Sequence, residues 1–297
     1  MAGQTLSGRR VRLMIAIPAP THGNFSSVTS NVLAITGEGD PTTPGMRVQF
    51  KIKKSKEKEP NTAEITITNL AEHTRRSMQT KGVRVLLEAG YVGTGITGIF
   101  TGNVRTIDSI REKTEWNTIL HCGDGDRSFR YARVSESFVP GTAAADVLRA
   151  IAIATGLSLG NTASAAQGLS RVFQQGYTVT GSAQRSLDRL LTSLGYSWSI
   201  QNNALQILAR DQVLDLSIPL ISPSTGLLGS PEMGTPEKAG EPALCKFKAL
   251  LTPTVPGAVV HLKSEHYDTD VVVKKCEMNG DTSGGEWATT IYGVLRK

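Results

Sequence analysis

The stretch Val92-Gly93-Thr94-Gly95-Ile96-Thr97-Gly98-Ile99-Phe100 matches G-x-G-x-x-G through its three glycines. As a dinucleotide loop it would make the chain an α/β enzyme; as a turn between strands it would make it a β protein. A pyrophosphate rests on a helix N-terminus, so the loop needs a strand before it and a helix after it. A strand is expected before it, at Val83 to Gly90. The segment on its other side, Ile99 to Ile107, is rich in β-branched residues and glycine and has no 3.6-residue apolar period. Glu115 stands near the spacing of a ribose-binding acid, but without the helix that spacing has no meaning. The glycines are expected to serve a strand-to-strand connection needing positive φ.

Outward from this point the first third reads as β structure. Met46, Val48, Phe50 and Ile52 alternate with polar residues, and Ala63 to Thr68 alternates again after the charged loop. These two runs predict a long-looped hairpin, followed by strands at Val83 to Gly90, Ile99 to Ile107 and Trp116 to Cys122. Composition shifts near residue 127. Thr142 to Thr155 predicts a helix capped by Thr142 and stopped by Gly156, with Val147, Leu148 and Ile151 on one face. Ser182 to Leu194 predicts a second, with Ser182 as N-cap and a stripe of Leu187, Leu190, Leu191 and Leu194. A hairpin comes next, Tyr196 to Ile200 and Leu205 to Leu208, turning at Gln201-Asn202-Asn203. Residues 222 to 242 read as a long Pro/Gly/Ser/Thr connection. The last segment is β again, at Leu244 to Leu250, Ala258 to Lys263, Asp270 to Glu277 and Trp287 to Val294.

The 297 residues favour two or three domains, and 39% hydrophobic with 20% charged residues fits folded ones. The apolar runs fall well short of the ~20 residues of a membrane span. Arg9, Arg10 and Arg12 before Leu13 to Ala19 superficially resemble a signal peptide, but Pro18, Pro20 and the missing cleavage site favour a first strand. Cys122, Cys245 and Cys276 have neither disulfide nor zinc spacing. Much of the +6 net charge lies between Lys51 and Glu59. Such a run is expected to be a solvated loop or a contact with an acidic protein surface, and a basic nucleic-acid-binding β protein is the alternative reading. Stacking aromatics and a recognised module are absent from its neighbourhood.

The last segment echoes the first. Gly82 to Leu87 resembles Gly257 to Leu262, and each is followed by a tyrosine (Tyr91, Tyr267), a second β run, a polar turn and Glu-Trp-x-Thr. That tetrad is Glu115 to Thr118 in one copy and Glu286 to Thr289 in the other. The shared order predicts two related β domains in one chain.

Candidate chemistry is sparse. His121, Asp124 and Asp126 could suggest a metal or acid–base cluster, but Asp-Gly-Asp after a strand usually makes a turn. His261-x-x-x-Glu265-His266 is not H-E-x-x-H and falls in a β run. No catalytic, metal or cofactor residue is expected.

Several stretches resemble tailed-phage baseplate hub proteins. They are Glu59-Pro60-Asn61-Thr62-Ala63-Glu64-Ile65-Thr66-Ile67-Thr68-Asn69-Leu70, Leu87 to Tyr91, Gly176 to Ala183 and Leu194 to Trp198. The C-terminal ones are Leu250 to Pro253 with Pro256-Gly257, and Asn279 to Trp287. Thr252 stands where that pattern more often has Asn, and the glycine loop lacks its usual basic residue. The resemblance runs from about Met46 to the end. It implies a mainly β fold with an α+β insert: two related tube-type β-barrel domains (1–126 and, after a linker, 214–297) flanking a small α+β domain (127–213). It implies a homotrimeric ring of pseudo-sixfold symmetry, because two similar domains in each of three chains match a sixfold tail tube to a threefold central spike. Implied partners are the chain itself, the spike, the tail tube or distal tail protein and the tape measure protein. DNA would only pass through the lumen. The place of action would be the virion tail baseplate, after synthesis in the host cytoplasm. Within this frame Lys53, Lys54, Lys56 and Lys58 form a candidate contact loop to the next ring, and Trp116, Trp287, Gly257 and Gly284 are candidate structural positions.

Overall fold

A computed structural model describes residues 8–18, 30–38, 45–125, 131–160, 169–209, 212–235 and 242–296. The N-terminal part holds β1 (Arg9–Pro18), β2 (Ser30–Glu38), β3 (Val48–Ser55), β4 (Thr62–Thr68), the short helix α1 (Glu72–Ser77), β5 (Arg84–Tyr91), β6 (Gly95–Glu112) and β7 (Glu115–Gly123). The alternation in β3 continues past Ile52, so Val48, Phe50, Ile52 and Lys54 all point inward. β3 and β4 form the expected hairpin, with Phe50 opposite Ile65. The opening stretch is the turn of the β5–β6 hairpin, where Tyr91 pairs with Gly95. Of its three glycines only Gly95 has positive φ, +85°. A Cβ on neighbouring Gly90 would lie 2.1 Å from the Gly95 carbonyl oxygen, so the two backbones touch directly.

The middle part holds β8 (Arg133–Phe138), β9 (Thr142–Ala143), α2 (Ala144–Thr155), β10 (Ser158–Leu159), β11 (Val172–Phe173), β12 (Tyr177–Ser182), α3 (Ala183–Ser193), β13 (Tyr196–Gln201) and β14 (Ala204–Ala209). Both helices lie where the apolar stripes put them, with Val147, Leu148, Ile151, Leu187, Leu190 and Leu191 buried in one cluster with Trp198 and Ile207. The N-terminus of α2 corrects the sequence reading, whereas α3 begins after Ser182 as expected. Thr142 lies in β9 and its hydroxyl donates to the Val139 carbonyl; Ser182 occupies the N-cap of α3 without a side-chain cap bond. Both positions belong to short strand pairs, which fix the backbone before the helix begins. Asn202 and Asn203 turn the β13–β14 hairpin at φ 54° and 61°, the geometry of a type I′ turn.

The C-terminal part holds β15 (Leu220–Ile221), β16 (Leu227–Gly234), β17 (Leu244–Leu250), β18 (Val259–Lys263), β19 (Asp268–Asp281) and β20 (Trp287–Leu295). The expected long connection at 222–242 therefore contains a strand. Gly229 and Pro231 conceal β16 in the sequence; the register shifts between Leu228 and Glu232, so the irregularity is held as a bulge.

The main sheet runs β16-β17-β20-β19-β3-β4-β7-β6-β5-β1-β2, with β18 on β19 and β15 on β18. The order β3-β4-β7-β6-β5 is thus repeated as β16-β17-β20-β19-β18, and the sequence echo has a topological counterpart. The repeats join where β19 pairs antiparallel with β3, from Lys275 opposite Ser55 to Asp281 opposite Gln49. One apolar cluster spans both, including Phe50, Leu87 and Leu120 from the first repeat and Phe247, Leu262 and Trp287 from the second.

Candidate functional site

The seams between these units carry the polar and charged groups that the sequence singles out. Lys54 points inward because β3 alternates, Asp124 follows the last residue of β7, and both end at the middle unit. The Lys54 side chain is 1% exposed, and its ammonium donates to Asn202 Oδ1 at 2.9 Å. The Asp124 carboxylate accepts from the backbone N–H groups of Asn202 and Asn203 and from Asn61 Nδ2. Asn61 Nδ2 also lies 2.8 Å from the Ile200 carbonyl oxygen, and Gln201 Nε2 donates to the Ser55 carbonyl at 2.8 Å. The type I′ turn of the middle unit is therefore clamped by the sheet. Burial pushes the Lys54 ammonium below its ordinary pKa, against the pull of Cys276 and Asp124. Burial also raises Asp124, against its donors. The Cys276 thiol, opposite Lys54 in the ladder, is pushed up to about 12 by burial.

The lysine loop is accordingly not one solvated arm. Lys54 is interior, a correction that comes from the period-two register of β3. Lys58 pairs with Asp188 of α3 at 2.5 Å, and the Lys56 backbone N–H donates to the Lys274 carbonyl. Lys53 projects to solvent from β3.

The second seam joins the repeats at the β19–β20 turn. Asp281 accepts from Arg47 at 2.7 Å and 3.2 Å and from Gln49 at 2.9 Å. Thr282 and Val48 exchange two further bonds. Burial alone would raise Asp281, but Arg47, the Ser283 N–H and Gln49 hold it below the usual carboxylate value.

The two Glu-Trp-x-Thr tetrads occupy matching corners. Asn69 N–H donates to the Trp116 carbonyl, and Leu251 N–H donates to the Trp287 carbonyl. Each ring lies under an arginine, Arg75 at 4.2 Å from Trp116 and Arg9 at 5.6 Å from Trp287. Trp287 is buried edge-on against Phe50 and Tyr91, whereas Trp116 is 37% exposed. Gly257 has φ +91°, and a Cβ there would strike Leu208 at 2.7 Å, so the β17–β18 connection packs its backbone on β14. Gly284 has φ +142° with open space around it, so conformation rather than packing requires glycine there.

Two histidines, His121 and His261, are each paired with carboxylates. His121 lies 3.1 Å from Asp108 and 3.7 Å from Glu64; His261 lies 2.8 Å from Asp270 and 2.9 Å from Asp268. Asp126 lies outside the described residues. Among the described residues no three His, Cys, Asp or Glu side chains gather as a metal site, and no helix is long and apolar enough to cross a membrane.

Residues 28–265 match the sequence profile of the family described as baseplate hub gp41. The chain belongs to that family. No curated protein matches the hub sequence. Among solved structures, the hub resembles the 43 kDa tail protein of prophage MuSo2 from Shewanella oneidensis, with TM-score 0.60 and 10% identity over 89% of this chain and 94% of that one. It resembles the tail protein of Neisseria meningitidis MC58 with TM-score 0.58 and 9% identity, over 84% and 92% of the two chains. The E. coli c3393 protein, described as a type VI secretion component similar to T4 tail proteins gp27 and gp5, gives 0.58 at 10% identity over 84% and 74%. At such identities the likeness is one of fold. Family membership makes the hub a structural protein of the phage baseplate, located in the virion tail.

Proposed function

We propose that three hub chains close into a ring of pseudo-sixfold symmetry joining the tail tube to a threefold central spike. The observation that carries this reading is the repeated strand order, β3-β4-β7-β6-β5 and β16-β17-β20-β19-β18, within one chain. Two alike units in each of three chains present six alike positions to a tube and three to a spike. In this reading the units are 1–126, 127–213 and 214–297, and the middle one is held on the ring by the Lys54–Asp124 clamp. The tube or distal tail protein, the spike and the tape measure protein are its partners, and DNA passes through the lumen without being read. The lysine loop's share in any contact with the next ring falls to Lys53. The role is assembly, without catalysis or cofactor.

The test is solution mass by light scattering after size exclusion, for the hub alone and with the spike protein of the same genome. A mass near three chains in either sample supports the ring. A monomer in both, with DNA binding that weakens steeply as salt rises, overturns it in favour of a nucleic-acid-binding role.

A further inference from the structure

The two repeats differ in one respect that identifies a partner surface. In the second repeat, β19 pairs with β18 through residues 268–272, and the same edge then continues onto β3 through residues 275–281. In the first repeat, β6 pairs with β5 through residues 95–103, and among the described residues its edge from 106 to 112 has no ladder partner. The two strands correspond residue by residue. Both shift register against their hairpin partner at one site, between Val104 and Thr106 in β6 and between Val273 and Lys275 in β19. Beyond it Thr106 faces His121 as Lys275 faces Tyr292, and Arg111 faces Trp116 as Gly280 faces Trp287. The strand equivalent to β3 is β16, which among the described residues pairs only with β17 and leaves its outer edge open at the end of the sheet.

We infer that β6 residues 106–112 of one protomer add antiparallel to the outer edge of β16 of the next, repeating between chains the β19–β3 ladder found within one. The inference rests on the ring reading and gives it a register. Asn279 faces Lys51 within the chain, so Ile110 faces Glu232 of the neighbour; Glu277 faces Lys53, so Asp108 faces Gly234. Three features support this pairing. Ile110 and Leu228 are large apolar side chains on these two edges, 46% and 38% exposed, and the union covers both. The pairing removes two long open strand edges that would otherwise template aggregation. The contact is heterologous, the outer edge of the terminal strand β16 meeting the unpaired stretch of the internal strand β6, and two different surfaces meeting in this way is the kind of contact that closes into rings.

Directly opposed residues in an antiparallel ladder have Cα atoms roughly 4.5–5.5 Å apart, within disulfide reach. The three native thiols are buried and leave engineered ones to react alone. The hub carrying Ile110→Cys with Glu232→Cys, mildly oxidised, is expected to give covalent dimer and cyclic trimer that collapse to monomer with reductant. The slipped pair Arg111→Cys with Glu232→Cys puts the thiols on opposite faces and is expected to give neither. Equal cross-linking by both pairs overturns the register. A trimeric mass with no cross-link from Ile110/Glu232 or from Asp108→Cys/Gly234→Cys overturns the pairing while leaving the ring standing. A monomeric mass removes the ring reading and the pairing with it. Hydrogen exchange on the unmodified chain checks the same surface without substitutions: slow exchange in the trimer at the alternate amides of 106–112 and 232–234 that do not donate to β7 or β17 supports it, and fast exchange at those amides overturns it.

Discussion

The Lys54 ammonium and the Asn202 side-chain carbonyl meet across the seam between the main sheet and the middle unit, 2.9 Å apart and shielded from solvent. A buried cation is costly to hold, and its hydrogen bond to a neutral amide recovers part of that cost. Polar geometry therefore fixes how the two units meet at this point of the seam.

Lys54→Met keeps the volume and removes the charge. With the folded pKa below the ordinary value, the unfolded chain binds more protons between the two, so stability rises with pH through that window. Urea titrations at several pH values are expected to show this alkaline rise in the native hub and a flat profile in Lys54→Met, with a change of less than about 1.5 kcal/mol at neutral pH. A rise that persists in the variant refutes the assignment.

Asp124→Ala leaves the backbone N–H groups of Asn202 and Asn203 without their acceptor, while Asn61 Nδ2 keeps the Ile200 carbonyl. The expected loss is on the order of 2–4 kcal/mol. Limited proteolysis should locate new cleavage at the β13–β14 turn; a loss spread evenly over the chain would speak against a local clamp.

His261 lies between Asp268 and Asp270, and its pKa is raised, chiefly by the bond with Asp270. A raised folded pKa contributes stability below the unfolded value, about 6.5, that is lost as pH rises through the folded value. His261→Gln is expected to abolish the fall in melting temperature across that window. A fall of the same size in the variant assigns it elsewhere.

The two tryptophans are expected to separate sharply. Trp287→Ala opens a cavity against Phe50 and Tyr91, at about 3–5 kcal/mol. Trp116→Ala loses mainly its contact with Arg75, about 0.5–1 kcal/mol. Chemical denaturation of the two variants measures the gap, and equal losses would remove the distinction between buried and exposed corners.

Much of the fold is written locally. The β3–β4 and β5–β6 hairpins, both long helices and the β13–β14 turn come from period-two or period-3.6 patterns and turn residues, because such signals act over a few neighbouring residues. The same alternation, carried two residues past Ile52, marks Lys54 as inward-facing; its charge in a Lys/Glu-rich loop obscured that. β16 is hidden by Gly229 and Pro231, which read as loop until β17 supplies the partner that tolerates the bulge.

Most strands, both long helices and the repetition of Glu-Trp-x-Thr are thus properties of the amino-acid order alone. The pairing of β19 with β3, the meeting of Asp281 with Arg47 across 234 positions and the edges of β6 and β16 that have no ladder partner among the described residues exist only in the folded chain. Pairing between distant strands is set by which apolar faces bury together and which register lets them do so, and no local pattern carries that information.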